Sequence, residues 1–138
     1  TRYISFFDGD EAEIGKIRQN GANSVVLDSP SDKRLKTNIK STNELDKLLK
    51  LNPVTFDWKK SGQSDIGLIA QEVDKVYPHL VNKENEDKFF MNYSGLIPVL
   101  LSGIKEQQKM IDSLEERIKK LEKLNIYITD NITKNKIR

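Results

Sequence analysis

The 138-residue chain has no cysteine and a single histidine, His79. The first absence excludes disulfides and thiolate zinc sites and leaves the redox compartment open. The second argues against a histidine-built metal centre and against a Ser-His-Asp triad. No metal and no cofactor are expected. Long apolar runs are missing too: no stretch approaches the roughly 20 apolar residues of a membrane helix. The N-terminus also lacks the charged-then-apolar pattern of a secretory signal. An excess of one charge is absent, with 23 Lys+Arg against 21 Asp+Glu and a net charge of +2. That balance implies no nucleic-acid partner, and no basic helix stands out. The expectation is a soluble, cytosol-made protein or a piece of one, with neither nucleic-acid nor membrane partner. With 36% hydrophobic residues, the chain suits one domain with a modest core, or a smaller domain plus an extension.

What is present falls into four textures. Residues 1–30 hold two turn dipeptides, Asp8-Gly9 and Asn20-Gly21. Ile14 and Ile17 precede the second and Val25, Val26 and Leu27 follow it, which predicts a β-hairpin over residues 13–27. So short a β segment has little to pack against alone and reads as the end of a longer β structure. From Ser31 onward, Ser41-Thr42-Asn43-Glu44 fits a capping box. Leu45, Leu48 and Leu49 would share the face of the helix it opens, and Asn52-Pro53 stops that helix. The third stretch is mixed. Val54–Trp58 alternates as a half-buried strand does, with Phe56 and Trp58 read as core. Gly67 to Ala70 opens a short helix, with Leu68, Ile69 and Val73 in the core. Two strands follow in HLVNK and KFFMN around the polar turn 84–87, and His79 reads as structural or exposed. Gly67 begins no phosphate loop, since the glycine spacing and the Lys-Ser/Thr ending are missing.

The fourth texture, from Ser94, is the most regular. Ile104, Ile111 and Ile118 recur every seven residues, and so do Leu100, Gln107, Leu114 and Leu121. Isoleucines take a positions and leucines d positions of a heptad pattern, with polar Gln107 interrupting the seam. Arg117 at g and Glu122 at the following e can pair between parallel helices. Length and strict period favour a coiled coil over a helix packed on its own domain. Pro98 falls near the first turn, where a missing donor costs least, and the pattern is lost past Asn125. The expected architecture is therefore α+β: a small mixed domain of short strands and helices behind a β-hairpin remnant, ending in a long helix. The expected boundaries are 1–30 for the upstream β end, 31–93 for the core, 94–126 for the helix and 127–138 for a frayed tail.

One short stretch raises a chemical question. In Asp28-Ser29-Pro30-Ser31-Asp32-Lys33-Arg34-Leu35-Lys36, Ser31 is either a cap or a nucleophile with Lys36 as its base. Spacing alone favours the cap. Residues five apart lie on opposite faces of a strand and about 140° apart on a helix. A working pair would need an irregular turn, or a lysine from another chain.

Four blocks bear on that question: SDKRLKTNI, LNPVTFDW, GLIAQEVDKVYPHLV and NYSGLIPVLLSGIKEQQKMIDSLEERI. In order and spacing they resemble the C-terminal intramolecular chaperone, or auto-processing, domain of phage tailspikes, endosialidases and neck appendages. A relative occurs in a eukaryotic membrane-bound myelin regulatory factor. The resemblance covers residues 31–121. It implies a homotrimer that holds three copies of the upstream fibre or β-helix in register, helps them fold, and then releases itself. It implies cleavage between Pro30 and Ser31, with Ser31 as nucleophile, Lys36 as general base and Asp32 as a further candidate. Lys33 and Arg34 are neighbouring cations that would favour a neutral Lys36. Gln71 and Glu72, polar beside an apolar block, are candidates to line the site. The trimer seam would be Leu100, Ile104, Gln107, Ile111, Leu114, Ile118 and Leu121, forming a parallel coiled coil. Such a protein would be made in the host cytoplasm as the precursor of a virion tail component. A structural trimerisation domain that does not cut is the alternative.

Overall fold

The computed structural model describes residues 2–85 and 88–136. The chain divides into two compact units, Thr1–Ser41 and Thr42–Arg138.

The first unit is built on a three-stranded antiparallel sheet in the order β1-β2-β3, with β1 Arg2–Phe7, β2 Glu13–Asn20 and β3 Ser24–Asp28. The hairpin expected over 13–27 is β2-β3, closed where Asn20 pairs with Ser24. Gly21 takes φ +68, a conformation that glycine adopts without steric cost. The first strand is an addition to the sequence reading. Asp8 Oδ1 closes its turn by accepting from the backbone N–H of Asp10 (3.0 Å) and of Ala12 (2.9 Å). Ile4 pairs with Ile17 and Ile17 with Leu27, so these three share a face with Phe6 and Val25. The opposite face carries Lys16, Arg18 and Asp28, the last two joined as an ion pair. The sheet is amphipathic, and Ile4, Phe6, Val25 and Leu27 stay exposed on its apolar face.

The second unit strings short elements along one long helix. They are α1 Leu45–Leu48, β4 Val54–Asp57, β5 Ser64–Gly67, α2 Ala70–Val76, β6 Val81–Asn85, β7 Lys88–Met91 and α3 Leu96–Lys136. Strands β4-β5 and β6-β7 form separate antiparallel pairs. This is the expected α+β class. Among the described residues the buried hydrophobic side chains are few: Leu45, Val73, Tyr77, Leu80, Leu96 and Val99. Val73 of α2 and Tyr77 at its C-cap pack with Leu80 on Leu96 and Val99 in the first turns of α3. Gly103 lets α1 sit on α3, since a Cβ there would lie 2.6 Å from Leu48 Cδ2.

Several expectations are corrected. The capping box does not form: α1 is only four residues long, and Glu44 makes no side-chain cap bond to it. Glu106, far along α3, does that work instead. Its Oε1 accepts from the backbone N–H groups of Glu44 (2.6 Å) and Leu45 (3.1 Å), and from Ser102 Oγ (3.3 Å). A carboxylate at a helix start satisfies orphan donors and suits the positive end of the helix dipole. Leu49 and Ile69 are exposed rather than packed, because helices of four and seven residues present too narrow an apolar face to take them in. Trp58 is exposed as well. It meets the edge of Phe56 at 5.1 Å between centroids, and its indole N–H donates to Asp65 Oδ2 (3.2 Å). A two-stranded sheet has too little face to bury it. Residues 64–67 pair as a strand before the Gly67 corner. Of the expected polar turn, Glu86 and Asp87 lie outside the described residues. The C-terminal stretch expected to fray remains helical to Lys136, with Thr129 Oγ1 and Thr133 Oγ1 each donating to the carbonyl four residues back.

Glu44, Tyr77 and Glu106 make this region sensitive to charge. The Thr42 hydroxyl, with help from Lys47 and the Tyr77 hydroxyl, holds the Glu44 carboxyl below its usual range. Burial, followed by the Glu44 and Glu106 carboxylates, pushes Tyr77 up to about 12 from 10.0. A raised folded-state value means that the folded protein resists a deprotonation the unfolded chain accepts. The stability from Tyr77 is therefore whole below pH 10 and is lost as pH climbs from 10 towards 12. The linked loss is on the order of 3 kcal/mol. Denaturant unfolding at fixed chain concentration should show that fall in the wild type and a flatter alkaline limb in Tyr77→Phe. At neutral pH, Glu106→Ala should lower unfolding free energy by about 1–2 kcal/mol, the range for a lost N-cap acceptor. Glu106→Gln, which can still accept, should lose less.

Candidate active site

Strand β3 ends at Asp28, and Pro30 two residues later has no N–H to continue a ladder. The chain then makes a 3-10 turn over Lys33–Leu35, with Asp32 as its N-cap and Lys36 as its C-cap, both in extended conformation. The backbone N–H of Leu35 bonds the Asp32 carbonyl, and that of Lys36 bonds the Lys33 carbonyl, each at 3.1 Å. Neither a strand nor an α-helix brings residues five apart together, but this tighter turn between extended flanks does. Lys36 Nζ lies 2.7 Å from Ser31 Oγ as its hydrogen-bond donor. The irregular turn that the spacing demanded is present, within one chain. Asn38, in the left-handed region at φ 52, redirects the backbone two residues later, a conformation that asparagine tolerates well.

The Asp32 carboxylate is engaged by Arg34. All its described hydrogen bonds come from that residue, from the backbone N–H (2.8 Å), from Nε (3.1 and 3.0 Å) and from Nη2 (2.6 Å). These bonds, the Arg34 side chain's first, hold the Asp32 carboxyl below its usual range and raise the Arg34 guanidinium in turn. Arg34 therefore stands as the partner of Asp32 and not as a bare cation beside Lys36. Sequence reading missed this role, although an aspartate two residues before an arginine at a turn start was its visible signal. Ser31, Asp32 and Lys36 are all exposed. On the other side of the Pro30–Ser31 peptide, Pro30 borders a cavity of about 290 Å³ with Glu13, Gly15, Lys16, Asp28 and Ser29. Gln71 and Glu72 lie exposed on α2, in the second unit. His79 is exposed too, its ring edge against Tyr77.

The heptad residues occupy α3, and none is covered. Leu100 is 46% exposed and Leu121 64%, with Ile104, Ile111, Leu114 and Ile118 between those values, and Gln107 is exposed as well.

Residues 31–82 match the family described as chaperone of endosialidase, Peptidase_S74. Over 130 residues the chain is 29% identical to the long tail fibre protein Gp37 of Salmonella phage S16, covering 83% of this chain and 17% of that protein. The family match opens on Ser31 itself and takes in the whole turn that joins it to Lys36. Through residues 31–82, the chain is similar to the chaperone-of-endosialidase family.

Proposed function

We propose that this chain is an intramolecular chaperone for a phage tail fibre, which assembles as a parallel homotrimer and then frees itself by cutting between Pro30 and Ser31. The observation that carries the reading is the 2.7 Å contact between Lys36 Nζ and Ser31 Oγ, at the first residue of the family match. The fibre context comes from the likeness to a long tail fibre protein.

The reaction follows from the atoms at hand. Neutral Lys36 Nζ takes the Ser31 hydroxyl proton as Oγ attacks the Pro30 carbonyl carbon. The Pro30–Ser31 C–N bond breaks, and the Ser31 nitrogen leaves with a proton returned from Lys36. Pro30 is then held as an ester on Ser31 Oγ. Water opens that ester, giving a Pro30 carboxylate and a Ser31 chain with a free amine. No cofactor takes part, and both reactants sit on one chain, so proximity supplies much of the acceleration. A lysine acts as base only without its extra proton, a form that burial and cationic neighbours favour. One chain leaves the pair exposed, so burial has to come from neighbouring copies. Cleavage would then wait on assembly, and in that sense test it.

Assembly itself is supported by the α3 stripe. Isoleucine at a and leucine at d, all exposed in the single chain, are a seam without its partners. Replacing Ile111 and Ile118 together by Asp puts unpaired charge into that seam, at several kcal/mol per site. Sedimentation should show a trimer for the wild type and loss of association for the double variant. A trimer that survives the change would refute the coiled coil.

For the cut, intact-mass analysis of the expressed chain should show a new N-terminus at Ser31. Ser31→Ala removes the attacking oxygen and should stay whole while still folding and associating. Lys36→Ala should stay whole too, and so should Lys36→Arg, because a guanidinium remains protonated. The wild-type rate should rise with pH as the lysine gives up its proton. Efficient release of the Ser31 N-terminus from Lys36→Ala would end this mechanism. An uncut but trimeric wild type would leave a structural trimerisation domain.

A further inference from the structure

The turn that joins the reacting pair is held from outside the pair. We infer that Asp32 and Arg34 are positioning residues, which clamp the 32–36 turn so that Lys36 reaches Ser31. This rests on reading Ser31 and Lys36 as the reacting groups, and it gives Asp32 a different task from acid-base chemistry.

The contacts carry the inference. Asp32 Oδ1 takes the backbone N–H of Arg34, the bond by which an aspartate starts a helical turn. The Arg34 guanidinium then folds back over two residues and grips both carboxylate oxygens through Nε and Nη2. The fork makes paired contacts that a lysine ammonium cannot reproduce. With the side chain of Asp32 tied at both ends, the Leu35 and Lys36 amides close onto the Asp32 and Lys33 carbonyls. Lys36 leaves that turn in extended conformation with its amine on Ser31 Oγ. Asp32 has no described bond to Ser31 or Lys36 side chains, so it is placed to shape the turn and not to move the proton. Its effect on rate should equal its effect on the fraction of chains in which the pair is preformed.

The test compares the cleavage rates of full-length Asp32→Asn, Asp32→Ala and Arg34→Gln with that of the wild type, by intact mass over a range of pH. Asn keeps an acceptor for the Arg34 amide, so Asp32→Asn should cut within about 3-fold of wild type. Asp32→Ala loses cap and fork together and should slow by roughly 3- to 30-fold, the span of N-cap replacements. Arg34→Gln should fall between them. All three should slow the reaction by one factor at every pH and leave the midpoint of the pH profile in place. A separate readout uses the uncut Ser31→Ala protein: the Arg34 amide resonance should titrate with the Asp32 carboxyl, below the ordinary 3.8, and Arg34→Gln should bring that midpoint back up. Two results would overturn the inference: Asp32→Asn as inert as Lys36→Ala, or Asp32→Ala as fast as wild type. If the wild type does not cut while the amide titration behaves as stated, the clamp stands and the reaction proposed for Ser31 fails.

Discussion

The constraint behind the whole structure is apolar surface that one chain does not cover. Among the described residues, six buried hydrophobic residues make a small core for a unit of this size, and most of them gather where α2 meets the start of α3. Beyond that point α3 runs on to Lys136 with its isoleucines and leucines in the open. The sheet of the first unit repeats the condition, with Ile4, Phe6, Val25 and Leu27 uncovered on one face. Surface of this kind is worth about 25 cal/mol for each Å² removed from water, and a solitary chain forgoes it. Small domains that bury so little usually draw stability from association. The heptad order on α3 suits that outcome, because it puts the uncovered residues in a single stripe.

Against this background, the turn at Ser31 is set by local forces. Its bonds span two to five residues: Asp32 to Arg34, Asp32 to Leu35, Lys33 to Lys36, Lys36 to Ser31. Loop closure over so few residues costs little entropy, so the turn needs no distant element to define it. Geometry and activation are thereby separable. A short motif can align the two groups in one chain, while the environment that frees a lysine of its proton belongs to the assembly on the proposed reading. A site that acts once on its own backbone also needs no deep substrate pocket, since covalent attachment already holds the carbonyl next to the nucleophile.

Legibility in the sequence followed the range of the interactions. The β2-β3 hairpin was readable because Asn20-Gly21 and its flanking apolar residues act within a few positions. The α3 helix was readable because seven-residue periodicity repeats its signal over many turns. Strand β1 carried a turn signal in Asp8-Gly9, but its pairing with Arg18–Glu13 lies across the loop and leaves no local mark. The capping box failed for the complementary reason: Ser41 and Glu44 fit the local pattern, while the actual acceptor, Glu106, lies 62 residues from Glu44. Trp58 read as core by its type, yet burial depends on how much sheet stands above it, which no short window contains. At the candidate site, the family resemblance pointed to Ser31 and Lys36, while spacing argued against the pair. The two side chains meet through a 3-10 turn in which Arg34, one more charge in the sequence, bonds Asp32.

The Glu106 cap also says how the second unit stays coherent despite its small core. A four-residue helix has almost no stability of its own, because nucleation consumes more order than so few bonds return. α1 persists since α3 supplies what it lacks: a carboxylate for its open N–H groups, a carbonyl partner through Ser102 Oγ to Thr42, and a glycine at 103 against which Leu48 can rest. Each of these contacts comes from residues 102–106 of α3, within the first heptad of the exposed stripe. Any event that orders or disorders α3 there acts directly on α1, through hydrogen bonds and not through diffuse packing. The same helix that carries the exposed seam is therefore also the scaffold on which the short elements before it are fixed.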